Sequence, residues 1–507
     1  MITRALDIKL NVRPVCIMLE HQFYYEGPCR FAAGDGLQPE FDKLFALDEK
    51  NRFIEDARNN LPDFVTMVDP LIIECFDDWV IDKATLDRID EGLENVDAFL
   101  ILGGIARTGL VVEIAQRTRK PIFHYSEPVY PLIIAGAALN ARGLENYACL
   151  SWEEMSVQMR ALRTRKALKK SSMLLAVRFN SDMSKASEDT FISLNQVTEK
   201  FGTTFRFLNI HELLDYMEPL PEGGNHTTPG RTNTPNVTEA DIKAAEELAD
   251  ALTAGAHETL IERLHLIKSC LAYVEVKKLL DIHGCSGFAA PCPDVCSTRR
   301  MNEQQFTFCL THSLLNEQGI PSACEYDIDS MLTMFIMSSM TGEPTYMGNT
   351  RPLFTEGGRI IPTVKVKAEA MEGIEDVSNL YTTDHSTVMR SFRRDGEQDY
   401  SIRHFAYDQG FGAVLRYDFN KDRGQVITLC RISPDCSKLF VGKGTIIAGD
   451  GHDRDNCNGV MVYRVADQRK FFDAQLQVGN HLCVVYGDYT RELDVLGRTL
   501  GLEVLNV

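Results

Sequence analysis

Residues 96–128 read VDAFLILGG, TGLVVEIAQRT and, one residue on, KPIFHYSEP. An apolar run, a segment with apolar residues at helical spacing and a second apolar run describe a strand, a helix and a strand. This βαβ pattern constrains the fold more than any other feature, because it commits the region to an α/β domain with helices laid on a sheet. The Gly-Gly that ends the first run lacks the G-x-G-x-x-G spacing of a dinucleotide site, so it reads as a strand-to-helix turn.

The pattern recurs. SSMLLAVRF (171–179) predicts a strand, 188–201 a helix, and TTFRFLNIHELLDYM a strand passing into another helix. PEGGNHTTPGRTNTPNVT (221–238) is rich in Gly, Pro, Asn and Thr and predicts a loop, after which helical patterns run from 239 to 284. Beyond 360 the texture changes. AVLRYDF, QVITLCRIS, KLFVGKGTIIAG, NGVMVYRVA and HLCVVYGD are short apolar runs separated by Gly, Asn and Asp, as in a barrel or sandwich, and TRELDVLGRTLG predicts a last helix. The expected fold class is α/β: two Rossmann-like α/β domains (1–170 and 171–350) followed by a β-rich, barrel-like domain (351–507).

A chain of 507 residues is too long for one core, which agrees with three domains. Acidic residues outnumber basic ones 72 to 53, giving a formal charge of −19, and this disfavours a nucleic-acid partner. The basic run RALRTRKALKK reads as a solvated helix face. No apolar run reaches membrane-spanning length, and the N-terminus lacks the pattern of a secretory signal, so no membrane partner and a cytoplasmic location are expected. The 14 cysteines are scattered through apolar runs, as buried free thiols would be. Cys292 and Cys296 in PCPDVCS form a close pair, but no second pair at metal-ligand spacing follows, which weighs against zinc there.

The stretch PSACEYDIDSMLTM (321–334) carries Glu325, Asp327 and Asp329 ahead of a helical pattern spanning 328–341, stopped by Gly342 and Pro344. Asp327 falls at the N-cap and Asp329 in a solvated first turn, whereas Glu325 lies ahead of the cap, aimed from a strand end or loop into a cleft. Among the histidines, His481 begins a strongly apolar strand, while His257, His265 and His283 lie in or near helices and read as structural or surface residues.

GIPSACEYDIDSMLTMFIMSSMTGEPTYMGN closely resembles a segment of the L-fucose isomerase and L-arabinose isomerase superfamily, in particular its fucose-isomerase-like branch. FGTTFRFLNIHEL, GQVITLCRISPDCSKLFVGKGTII and GNHLCVVYGDYTREL resemble further segments of that branch, so the resemblance spans all three expected domains. It implies an L-fucose isomerase-like fold and a homo-oligomer, trimer or hexamer. It also implies a divalent cation, typically Mn²⁺ with Mg²⁺ or Co²⁺ as substitutes, held by a glutamate, an aspartate twenty-four positions later and a C-terminal histidine.

By that motif the metal ligands are Glu325, position 349 and His481, and position 349 is Asn349. An amide oxygen ligates a hard cation but brings no charge and accepts no proton at neutral pH. The chain departs from the branch again at TTDHSTVM, where many relatives have His-Cys-Gly and His385 is followed by Ser386.

The implied activity is aldose–ketose isomerisation of an open-chain sugar or modified sugar through a cis-enediol(ate), with Glu325 as ligand and base and Asp327 as candidate second acid/base. Arg30, Arg299 or Arg300 would receive an anionic sugar, and Trp79 and residues around His385 would shape the pocket. The alternatives are a metal-dependent epimerase or carbon–carbon lyase of the same fold, or a non-catalytic sugar-binding member.

Overall fold

The computed structural model describes residues 2–19, 38–75, 83–102, 108–124, 130–177, 192–220, 235–296, 298–357, 359–361, 366, 371–405, 410–452 and 458–507. The Gly-Gly turn at 103–104, most of the loop 221–238, Arg30 and Trp79 lie outside them. The chain divides into two compact units, Ile8–Arg163 and Met1–Asp7 with Thr164–Val507. It is an α/β protein in which parallel, Rossmann-like sheets precede a C-terminal antiparallel barrel of six strands.

In the first unit the strands Val65–Met67, Leu10–Leu19, Ala98–Leu102, Ile122–His124 and Asn146–Ala148 pair in that order and in parallel, and Leu71–Cys75 also pairs with Leu10–Leu19. The wholly apolar run is explained by burial on both faces. Ala98 and Leu100 join one core cluster with Val12 and Cys16, while Phe99 and Ile101 join the other with Val15 and Ile17. The predicted helix between the strands occupies Thr108–Thr118.

In the second unit a four-stranded parallel sheet runs Ser322–Ala323, Gly287–Ala289, Ser172–Val177, Thr204–Asn209. The barrel runs Val426–Ile432, His481–Tyr486, Tyr346–Pro352, Leu380–His385, Gly459–Val465, Lys438–Gly449 and closes by pairing Lys438–Gly449 with Val426–Ile432. Closure pairs every one of these six strands on both sides over part of its length. Tyr346, Tyr381, Phe440, Ile446, Met461, Tyr463 and Val484 belong to its apolar core.

Tyr346–Pro352 and Leu380–His385 are strands that the pattern of short apolar runs misses, since YMGNTRP and LYTTDH mix polar and apolar residues. The first straddles the boundary expected at residue 350. The last helix, Thr490–Thr499, does not end the chain: Glu503–Asn506 follows and adds in parallel to Lys438–Gly449.

Helix Ile328–Thr341 forms over the predicted residues, capped by Asp327 and ended by Gly342 at φ 80°, a left-handed conformation that glycine adopts without a Cβ clash. Every residue from Ile328 to Met340 is buried. The cause is position, since the helix packs against Gly287–Ala289 and Ser322–Ala323 as well as barrel strands Val426–Ile432 and His481–Tyr486.

Helix Arg263–His283 buries Glu275 completely, and burial pushes its carboxyl up to about 8. Between the unfolded value near ~4.3 and the folded one, only the unfolded state loses its proton, so stability falls as pH rises through that window. Glu275→Gln is therefore expected to stabilise the protein at pH ~8.5, by on the order of 3 kcal/mol, and hardly at all at pH ~4.5. Urea midpoints at the two pH values decide it; an equal mutant-minus-wild-type difference at both would contradict the assignment.

Candidate metal centre

Strands Gly287–Ala289 and Ser322–Ala323 are parallel neighbours, so the segments leaving their C-terminal ends converge. In open α/β sheets this edge is where ligands are bound. Cys292 opens the short helix Cys292–Cys296 beyond the first strand, and Cys324 follows the second directly. The chain then makes one 3₁₀ turn, Cys324–Tyr326, in which Glu325 and Tyr326 take φ values of 59° and 56°. Two successive non-glycine residues in the left-handed region cost about 1–3 kcal/mol each and persist only where the surroundings enforce them. Here Tyr326 N–H donates to Ala290 O at 2.9 Å and Asp327 N–H to Cys324 O at 3.1 Å.

The turn aims the Glu325 carboxylate at two imidazoles carried by the barrel. Oε1 lies 3.4 Å from His385 Nε2 and Oε2 lies 3.7 Å from His481 Nε2. The two rings are edge to face, 5.3 Å between centroids. His385 comes from the end of Leu380–His385 and His481 from the start of His481–Tyr486, both flanking Tyr346–Pro352. Side-chain exposure is 21% for Glu325, 4% for His385 and 0% for His481, which makes the carboxylate the most accessible of the three.

Behind His481 stands Asp327, whose Oδ2 is 2.8 Å from His481 Nδ1. An Nδ1–H donated to that carboxylate fixes the tautomer in which Nε2 presents a lone pair toward Glu325. The same carboxylate accepts from Ser330 N–H at 2.8 Å, which is the predicted cap, and from Arg431 Nη1 at 2.8 Å. Burial by itself would raise Asp327, but the Arg431 charge and the hydrogen bond to His481 outweigh it and hold the carboxyl well below its usual range. A carboxylate so enclosed orients His481; these partners do not suit it to shuttle protons. Asp329, expected in a solvated first turn, is fully buried and 3.3 Å from Arg431 Nη2. The reason is that the barrel covers this turn of the helix.

Asn349 sits directly across the ladder from His481, and its Oδ1 accepts from Asn480 Nδ2 at 2.5 Å. Arg299 is exposed and paired with Glu303, and Arg300 pairs with Asp215. His257 stacks on His452, and His265 Nδ1 lies 3.1 Å from Gly410 O.

Two features escape a reading of the sequence. One is Arg431, though an arginine in the middle of the apolar strand ITLCRIS is itself a signal of a buried acidic partner. The other is a thiol cluster: the Cys292 and Cys324 sulfurs and a His312 ring nitrogen lie within 4.8 Å of one another, all buried. Cys292 turns to these residues, 20 and 32 positions on, instead of engaging Cys296 as a metal pair. The hydrogen bond with Cys324, ahead of that with His312, holds the Cys292 thiol below its ordinary range, and the same bond raises Cys324.

One carboxylate and two imidazoles suit a divalent ion that takes oxygen and nitrogen ligands, such as Mn²⁺. Their 3.4 and 3.7 Å separations approach the ~3 Å between neighbouring ligand atoms on an octahedral ion. No protein-family model and no curated protein matches this chain. Among the described residues no helix is long and apolar enough to cross a membrane.

Proposed function

We propose that the protein is a metal-dependent aldose–ketose isomerase of the L-fucose isomerase-like type, acting on an open-chain sugar or modified sugar through a cis-enediolate. The observation that carries this reading is the Glu325 carboxylate set between His385 Nε2 and His481 Nε2, with Asp327 orienting His481 from behind. Glu325 and His481 would hold a divalent ion, with His385 as a third donor and Asn349 an uncharged one. When bound, the ion supplies Lewis acidity to two neighbouring sugar oxygens. Glu325 takes the proton from the carbon beside the carbonyl and returns it to the adjacent carbon on the same face.

A second reading, a non-catalytic sugar-binding member, is favoured by Asn349, whose neutral amide is engaged with Asn480. Mn²⁺ titration and turnover in deuterated water, over a panel of deoxy, phosphorylated and sulfonated aldoses, separate the two. The isomerase binds Mn²⁺ and places deuterium at carbon 1 or 2, and Asn349→Asp tightens Mn²⁺ binding. A protein that binds no Mn²⁺, or one whose product carries no label under conditions that exclude internal return, defeats the isomerase reading.

A further inference from the structure

Beside the carboxylate–histidine site lies a group of different chemistry. His312 Nε2 is 3.5 Å from Cys292 Sγ, and its other nitrogen, Nδ1, is 2.7 Å from Ser322 Oγ. The Cys324 sulfur lies within 4.8 Å of both the Cys292 sulfur and a His312 ring nitrogen. The three residues arrive from three elements: the start of helix Cys292–Cys296, helix Cys309–Glu317 and the turn Cys324–Tyr326 just beyond Ser322–Ala323. Ser322 is fixed in turn by Asn316, one helical turn past His312, which accepts from Ser322 N–H at 2.7 Å and donates to Ser322 O at 3.0 Å.

The geometry points to a second metal site, in which Cys292, Cys324 and His312 Nε2 bind a thiolate-preferring divalent ion, Zn²⁺ in particular. Tetrahedral zinc with bonds of about 2.3 Å to sulfur and about 2.0 Å to nitrogen sets sulfur and nitrogen ~3.6 Å apart, and sulfur and sulfur ~3.8 Å. The observed 3.5 Å between Cys292 Sγ and His312 Nε2 meets that requirement, and all three ligand atoms lie within 4.8 Å of one another.

The Ser322 contact supplies the outer support that zinc-bound histidines characteristically have, leaving Nε2 as the ligand nitrogen. Two sulfurs and one imidazole also set the site apart from its neighbour, since thiolates select zinc over manganese or magnesium. Binding converts two thiols to thiolates, so about two protons leave per ion. Three protein ligands leave one position of a tetrahedron. Cys324 is shared with a second group, Cys324, Glu325 and His385, whose ligand atoms also lie within 4.8 Å of one another, so the two sites adjoin.

Cobalt(II) is the probe, because thiolate ligation gives it an intense near-ultraviolet charge-transfer band that oxygen and imidazole ligands do not. Full-length protein stripped with chelator is expected to develop this band with one equivalent of Co²⁺ and to lose it on adding Zn²⁺. Cys292→Ser and Cys324→Ser abolish it. Ser322→Ala, which keeps all three ligands, weakens Co²⁺ binding about 10–100-fold at unchanged circular dichroism. Glu325→Gln leaves the band in place, separating this site from the carboxylate one. A thiolate band in a protein that binds no Mn²⁺ supports the zinc site while removing the isomerase reading. Cobalt bound without the band, or a band that survives in Cys292→Ser, overturns the proposal.

Discussion

Replacing Glu325 by Gln is expected to lower kcat/KM by about three orders of magnitude or more while the thermal midpoint stays near the wild-type value. Loss of a positioned acid/base alone accounts for about 10²–10⁴-fold. The amide is also a weaker ligand than the carboxylate, so Mn²⁺ affinity falls as well. Gln preserves the shape of the side chain, and the strained turn is held by backbone hydrogen bonds from Tyr326 and Asp327 that the substitution leaves alone. Activity within tenfold of wild type on a sugar that the wild type turns over would remove Glu325 from the chemistry. Unchanged Mn²⁺ affinity would remove it from the metal.

Arg431→Met should be the most destabilising of the substitutions considered. The guanidinium is buried and satisfied on every side: Nη1 reaches Asp327 Oδ2 at 2.8 Å, Ser330 Oγ at 2.6 Å and His481 O at 2.6 Å. Nη2 lies 3.2 Å from Asp327 Oδ1 and 3.3 Å from Asp329 Oδ2, and Nε donates to Val478 O at 2.8 Å. Room for it depends on Gly479, where a Cβ would stand 3.1 Å from Arg431 Nε.

Met fills most of the volume but leaves two buried carboxylates facing each other, a change worth about 3–5 kcal/mol. The effect should be pH-dependent. Asp327 is held below its unfolded value, so its contribution is present above pH ~4 and lost as pH falls toward the folded value. In Arg431→Met that support is gone, and protonation of the stranded acids should narrow the gap to wild type in acid. Urea midpoints at pH 7 and pH 4 measure both effects; a neutral-pH loss below ~1 kcal/mol would mean the network is not what holds this junction.

Much of the architecture was legible because it rests on local periodicity. The helix at 328–341, the βαβ unit at 96–128 and four of the six barrel strands can be read this way: Val426–Ile432, Lys438–Gly449, Gly459–Val465 and His481–Tyr486 announce themselves, while Tyr346–Pro352 and Leu380–His385 do not. Those two carry Asn349 and His385, so the least legible strands belong to the candidate site. Polar residues that face a site interrupt the apolar alternation by which a strand is read. Glu325 and His481 were reachable from sequence through their motif segments. His385 stood out only as a departure, and Cys324 and His312 had no local signal at all.

By itself the sequence determined where most of the strands and helices form, that parallel α/β layers give way to short antiparallel strands, and that Glu325 precedes a capped helix. Those properties follow from residues near one another in the chain. Tertiary structure decided what the charged and sulfur-bearing side chains do. Asp329 passed from solvent to a buried ion pair, Asp327 kept its cap and also became the partner of His481, and Cys292 passed from a neighbour of Cys296 to a partner of His312 and Cys324. Each depends on atoms brought together across 20 to about 150 residues by parallel strand ends and by closure of the barrel. Burial is set by what covers a residue, and local sequence does not contain the cover.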